Sequence, residues 1–383
     1  MKPLSFLILS ATGGAGHLRA AAALEHAAKT MSGLTCKHFD CLDFTSRTFK
    51  HLYAGSYLAM VNRAPELWGY LYSRAQLKPY EKKGLLKIFD DLNYREYLEF
   101  LKEEKPDAIL CTHFLPYISV SRRLRSSGVA APVFAVTTDF DAHQYWVDPV
   151  VDRYYVHTEE SAWQLRSKGA PADRIRVLGI PVMPDFGKRE DPAAARQRLG
   201  LPDGRMTILM VWGGFGVGKP EKMAQEVLAM LQMFPDKEFT LVAVCGKNQK
   251  LRQHLEETVP PSNVLLRATG FVENIHEWMN ACDLLISKAG GLTSAEAMAM
   301  GAPMLIVDPI PGQETRNTEI IVEERAGWKA LDIPNVGYKI KRILERPELL
   351  KGAREAASRL AKPNAARDIL SDAMEFVHKK GMS

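Results

Sequence analysis

Two strand–glycine turn–helix openings, one in each half of a 383-residue chain, predict an α/β protein of two Rossmann-like domains. The first passes from Pro3–Ser10 through the turn Ser10–His17 into the alanine-rich stretch Leu18–Ala28. The second passes from Thr207–Trp212 through Gly213–Lys219 to Pro220. Between them, Gly179-Ile180-Pro181-Val182-Met183-Pro184-Asp185-Phe186 carries two prolines that stiffen the chain, as a linker requires. The length also exceeds what one hydrophobic core serves.

Composition bounds the partners. Hydrophobic residues make up 46% and charged residues 25%, ordinary values for a globular chain. The net charge of +5 favours an anionic surface but is too small to indicate nucleic acid. Five cysteines, an odd number with no Cys-x-x-Cys pair, read as small apolar residues of a reduced, cytoplasmic protein. No apolar run reaches the roughly 18 residues of a spanning helix. Leu4–Leu9 leads into a glycine turn, so it reads as a strand and not as a signal segment.

Along the first half, Gly13, Gly14 and Gly16 make the turn, without the spacing of a dinucleotide fingerprint. His17 stands at the helix start, where the macrodipole disfavours imidazolium and leaves a neutral ring able to take a proton. Taken alone, a His that merely caps the turn explains it better. Leu34–Asp43 is the second strand. Phe44–Phe89 then mixes aromatics, Tyr53, Tyr57 and Trp68 among them, with eight cations. Such a mixture suits a lipid headgroup boundary, and equally an amphipathic helix pair facing a core. Pro106–Cys111 and Pro132–Thr137 are strands. His113 follows the former, at the end of the sheet where ligands bind, although a structural buried His is the commoner case. Asp139-Phe140-Asp141 spells a possible metal pair, but three residues are a weak signal and no metal cluster accompanies them.

In the second half, Gly213 to Lys219 satisfies Gly-x4-Gly-Lys of a P-loop, but Pro220 stands where Ser or Thr must bind Mg²⁺. A glycine loop facing a diphosphate, with Pro220 opening a helix, fits better. Phe239–Val244, Val264–Ala268, Leu284–Ile286 and Met304–Val307 are strands, and Ile275–Ala281 is a short helix. After Leu284–Ile286, Gly290 and Gly291 let backbone approach a ligand. Thr293-Ser294-Ala295-Glu296 has capping-box spacing and opens a helix to Met300, closed by Gly301. Unpaired N–H groups at Leu292 and Thr293 would face an anion. Glu296 either meets ribose hydroxyls or only caps Thr293. Ile340–Leu344, Arg354–Leu360 and the amphipathic Asp368–Lys379 are C-terminal helices.

Gly290-Gly291-Leu292-Thr293-Ser294-Ala295-Glu296 with Pro311-Gly312-Gln313-Glu314 resembles the nucleotide-sugar half of the monogalactosyl- and processive glucosyl-diacylglycerol synthases. More distantly, it is similar to the N-acetylglucosaminyltransferase that makes lipid II. Gly14-Ala15-Gly16-His17-Leu18-Arg19-Ala20-Ala21, the stretch from Thr138 to Val156, and Gly179–Phe186 resemble further motifs of the same family. The likeness runs from about Leu4 to about Trp328. It departs where many plant-type members carry an Asp and this chain has Ala11.

The resemblance implies a GT-B fold, with two Rossmann-like domains facing a cleft and a C-terminal helix returning to the first. The expected divisions are 1–186 for acceptor and membrane, 187–366 for the UDP-sugar, and 367–383 for the returning helix. It implies an inverting transfer of a hexose from a UDP-sugar to diacylglycerol or another lipid acceptor, with no cofactor and no metal. The protein would work peripherally at the anionic inner face of the cell membrane. His17 is the implied general base. The implied donor contacts are Gly16, Gly213, Gly214, Gly216, Phe271, Val272, Gly290, Gly291, Leu292, Thr293, Glu296, Gln313, Glu314 and Asn317. Tyr53, Tyr57, Trp68 and His143 would face acceptor and membrane. Two alternatives are transfer of N-acetylglucosamine to a polyprenyl-linked acceptor and a P-loop-like nucleotide-binding regulator.

Overall fold

The computed structural model describes residues 3–12, 14–46, 50, 66–67, 69–70, 96–212 and 219–381. The chain forms two compact units. One holds Met1–Pro184, Pro311–Gln313 and Lys362–Ser383; the other holds Asp185–Ile310 and Glu314–Ala361.

The first unit carries a six-stranded sheet in the order β2-β1-β3-β4-β5-β6. Its strands are β1 (Leu4–Ser10), β2 (Leu34–Asp40), β3 (Ala108–Cys111), β4 (Val133–Val136), β5 (Val151–Val156) and β6 (Ile175–Val177). Every pairing is parallel. Parallel sheets are covered on both faces, so the central strands β1, β3 and β4 are buried along nearly their whole length. Alternate residues serve opposite cores: Leu7 and Leu9 one, Phe6 and Ile8 the other. The second core is closed by the helices Ala15–Ala28 and Ala365–Lys379, the latter through Ile369, Leu370, Ala373 and Val377. The C-terminal helix thus belongs to the N-terminal sheet. Asp372 fixes it there, accepting from Arg153 at 2.5 Å and from the Tyr155 hydroxyl at 2.8 Å.

The second unit carries a sheet in the order β12-β11-β10-β7-β8-β9, again parallel. Its strands are β7 (Met206–Val211), β8 (Phe239–Val244), β9 (Val264–Thr269), β10 (Leu284–Ser287), β11 (Met304–Ile306) and β12 (Gly327–Lys329). In each sheet the strand order reverses once, between β1 and β3 and between β7 and β10. Ligands of open α/β sheets bind outside the carboxyl ends of the strands at such reversals.

Two sequence expectations need correction. The first helix begins at Ala15, not Leu18, so Gly16 and His17 lie in its first turn and not in a loop. The helix expected over Ser294–Met300, with Thr293 as its cap, begins at Gly291 with Gly290 as its cap, and no side chain caps it. The capping box is therefore not formed, because Thr293 and Glu296 lie inside the helix. Gln313, Glu314 and Asn317, expected as donor contacts, lie in the helix Gln313–Glu323. Among the described residues no helix is long and apolar enough to cross a membrane.

Candidate active site

At the reversal of the first sheet, β1 runs into the turn before Ala15 and β3 ends at Cys111. This brings His17 onto Thr112. The Nδ1 of His17 lies 2.8 Å from the Thr112 carbonyl oxygen and 2.9 Å from Thr138 Oγ1. The Thr112 hydroxyl donates back to the His17 carbonyl at 3.0 Å. A carbonyl can only accept, so Nδ1 carries the proton and Nε2 holds the basic lone pair. Desolvation pulls the pKa of His17 down to about 4, partly offset by the Thr112 carbonyl. The ring is therefore neutral at physiological pH. Burial, more than the helix dipole invoked from sequence, is the main cause. The Thr112 carbonyl fixes the tautomer, and Ala11, where plant-type members carry an Asp, is buried.

Two further histidines stand close. The His113 ring meets His17 edge-on, with centroids 4.5 Å apart, and its Nδ1 accepts from Leu115 N–H at 3.0 Å. The His143 Nδ1 accepts from Tyr145 N–H at 3.2 Å, and its ring lies 5.1 Å from Phe114. Burial lowers the pKa of both, that of His143 to about 3. The expectation of a buried His113 holds, and it has a second aspect: the ring shapes the wall beside His17. Among the described residues no group of three or more His, Cys, Asp or Glu could hold a metal.

At the reversal of the second sheet, β10 leads through Lys288 and Ala289 to Gly290. The first intrahelical bond runs from Ser294 N–H to the Gly290 carbonyl. The N–H groups of Gly291, Leu292 and Thr293 thus precede the ladder and suit an anion. Gly290 packs near Glu314: a Cβ placed on it would lie 3.6 Å from the Glu314 carboxylate. Glu314 also accepts from Ile310 N–H at 2.7 Å. Asn317 is fully buried and donates to the Ala289 carbonyl at 2.9 Å. It thereby braces the glycine turn beside which sequence placed it as a donor contact. Glu296 is buried on the same helix as the turn. Phe271, 71% exposed, lines a cleft of about 610 Å³ at the ends of β8 and β9 with Gly246, Arg252 and Gly270, and Val272 follows it.

Gly213, Gly214, Gly216, Tyr53, Tyr57 and Trp68 lie outside the described residues. Thr112 and Thr138 were not found from sequence. A backbone carbonyl leaves no side-chain signal, and the His17–Thr112 pair is separated by 95 residues.

Residues 17–182 match the family model for monogalactosyldiacylglycerol synthase, and residues 208–370 match the C-terminal domain of glycosyltransferase family 28. A processive diacylglycerol beta-glucosyltransferase of Bacillus thuringiensis is 30% identical over 380 residues, covering 97% of this chain and 94% of the relative. Among solved structures, MurG of Acinetobacter baumannii aligns with a TM-score of 0.66 at 16% identity, over 97% of this chain and all of that one. A UDP co-structure of MnaA from S. aureus aligns with a TM-score of 0.60 at 15% identity, over 99% and 97%. These two carry the fold, which is GT-B. On its relatives and its fold together, the chain belongs to the monogalactosyl- and processive glucosyl-diacylglycerol synthase family of UDP-sugar glycosyltransferases.

Proposed function

We propose that this chain is an inverting glycosyltransferase that moves a hexose from a UDP-sugar to the free hydroxyl of diacylglycerol at an anionic membrane surface. The observation that carries the mechanism is the state of His17: neutral, with Nδ1–H held by Thr112 and Nε2 left basic. The acceptor oxygen attacks the anomeric carbon and passes its proton to Nε2. The sugar–phosphate bond breaks, and its electron pair leaves with UDP. N–H groups at Gly291, Leu292 and Thr293 stabilise that charge together with the glycine loop Gly213–Gly218, and the reaction needs no metal. Gln313 and Glu314 orient the sugar, and Glu296 the ribose. Phe271 and Val272 border the uracil, and Gly16 is a further donor contact. His143 walls the acceptor side, and Tyr53, Tyr57 and Trp68 hold the lipid surface on the inner face of the cell membrane.

The test mixes purified protein with each UDP-hexose in turn, with diacylglycerol in anionic vesicles and EDTA present. Release of UDP that requires the lipid supports the proposal, and the productive sugar names the donor. Release only with a polyprenyl-diphosphate-linked sugar as acceptor would replace diacylglycerol by that class. Release only on adding a divalent cation would overturn the metal-free step.

A further inference from the structure

Lys288 follows directly on β10, one of the two strands between which the second sheet reverses. It is half-buried. Even so, its ammonium makes no hydrogen bond or ion pair with any described residue. Two carboxylates face it from neighbouring elements: Glu314 in the first turn of its helix and Asp308 in the loop after β11. Neither comes within ion-pair distance. Glu314 is tied to Ile310 N–H. Asp308 is fixed at a φ of 43°, a conformation that non-glycine residues rarely adopt and that marks functional loops. Burial outweighs the attraction of both carboxylates and lowers the lysine pKa from its ordinary value.

A desolvated ammonium without a close partner is costly to keep. Here it stands two residues before Gly290, on the turn that leads into the helix whose first N–H groups suit an anion. Carboxylates suit sugar hydroxyls; a compact cation beside a helix start suits phosphate oxygens. We infer that Lys288 is the side chain that meets the diphosphate of the nucleotide-sugar donor and holds its β-phosphate as UDP leaves. The inference rests on the donor site proposed above. When the bond between the anomeric carbon and the phosphate oxygen breaks, the electron pair stays on that oxygen. The acceptor proton goes to His17. Lys288 keeps its own proton throughout and only neutralises charge.

The experiment compares UDP and uridine binding by calorimetry for the wild type, Lys288→Gln and Lys288→Arg. Uridine lacks the diphosphate, so it reports the fold and the base pocket alone. Lys288→Gln is expected to weaken UDP about 10- to 100-fold, the range for one charge-assisted contact, with uridine changed less than about twofold. Lys288→Arg should recover part of the UDP affinity. If Lys288→Gln binds UDP as tightly as the wild type, the role of Lys288 is overturned while the donor site stands. If both variants lose uridine along with UDP, the lysine serves the fold and the inference fails. A wild type that binds no UDP removes the donor site and the inference with it.

Discussion

The most informative residue is His17, because a single hydrogen bond decides which of its nitrogens can work. With Nδ1 donating to Thr112, removal of the ring should damage chemistry and spare the donor. His17→Ala is expected to lower turnover by about 10²–10⁴-fold. UDP affinity, measured by titration calorimetry, should change little. Equal losses in both would assign His17 to donor binding. The acidity of the ring gives a second expectation. A base of pKa about 4 stays neutral as pH falls through the ordinary histidine range. The acid limb of kcat/KM should therefore lie near pH 4, and a limb near 6.5 would contradict the buried state. The same shift acts on stability. His17, His113 and His143 resist protonation when folded and accept it when unfolded. Stability is therefore full above the unfolded value of 6.5 and declines as pH falls towards the folded values. Thermal melts taken across that window would show the decline, and it should shrink in His143→Gln. The sequence exposed the histidine through its glycine-alanine setting. It did not expose Thr112, Thr138 or the setting of Lys288 near Glu314 and Asp308, because strand order brings these together and local pattern does not.

At the scale of elements, the helix Gly291–Met300 teaches the most. Its capping-box letters are present and unused: the two glycines let the helix start three residues earlier, and burial then claims Glu296. Thr293→Ala should accordingly leave the melting temperature nearly unchanged, whereas a lost cap costs about 1 kcal/mol. The other end obeys its sequence. Gly301 closes the helix at a φ of 64°, and a Cβ there would lie 2.5 Å from the Arg189 guanidinium. Gly301→Ala should cost roughly 1–2 kcal/mol for the left-handed backbone, and more if Arg189 cannot move. Chemical denaturation of the two variants separates the cases. β12 escaped the sequence reading for a related reason. Its three residues, Gly327–Lys329, are too few to show a period, and only pairing with β11 makes them a strand.

For the molecule as a whole, the α/β class was plain in the sequence because parallel strands buried on two faces read as unbroken apolar runs. Five of six strands in the second sheet were visible that way. The C-terminal helix was legible as amphipathic, and its destination followed from the family resemblance. In the structure that destination is a buried network. Asp372→Ala would leave Arg153 and Tyr155 without their acceptor and should cost about 1–3 kcal/mol. Leu370→Ala, deep in the same core, should cost about 2–5 kcal/mol. Loss of secondary structure confined to the second unit in either variant would contradict this placement.

That placement sets an order of events during synthesis. Phe6, Ile8 and Leu24 leave the ribosome early, while Ile369 and Leu370, which cover them, leave only after all of Asp185–Ala361 has been made. At cellular elongation rates the nascent first sheet waits roughly ten to thirty seconds with one apolar face open. A chaperone that shelters such a face has its natural client here, and premature termination before Lys362 would yield a sticky half-protein in place of a working domain.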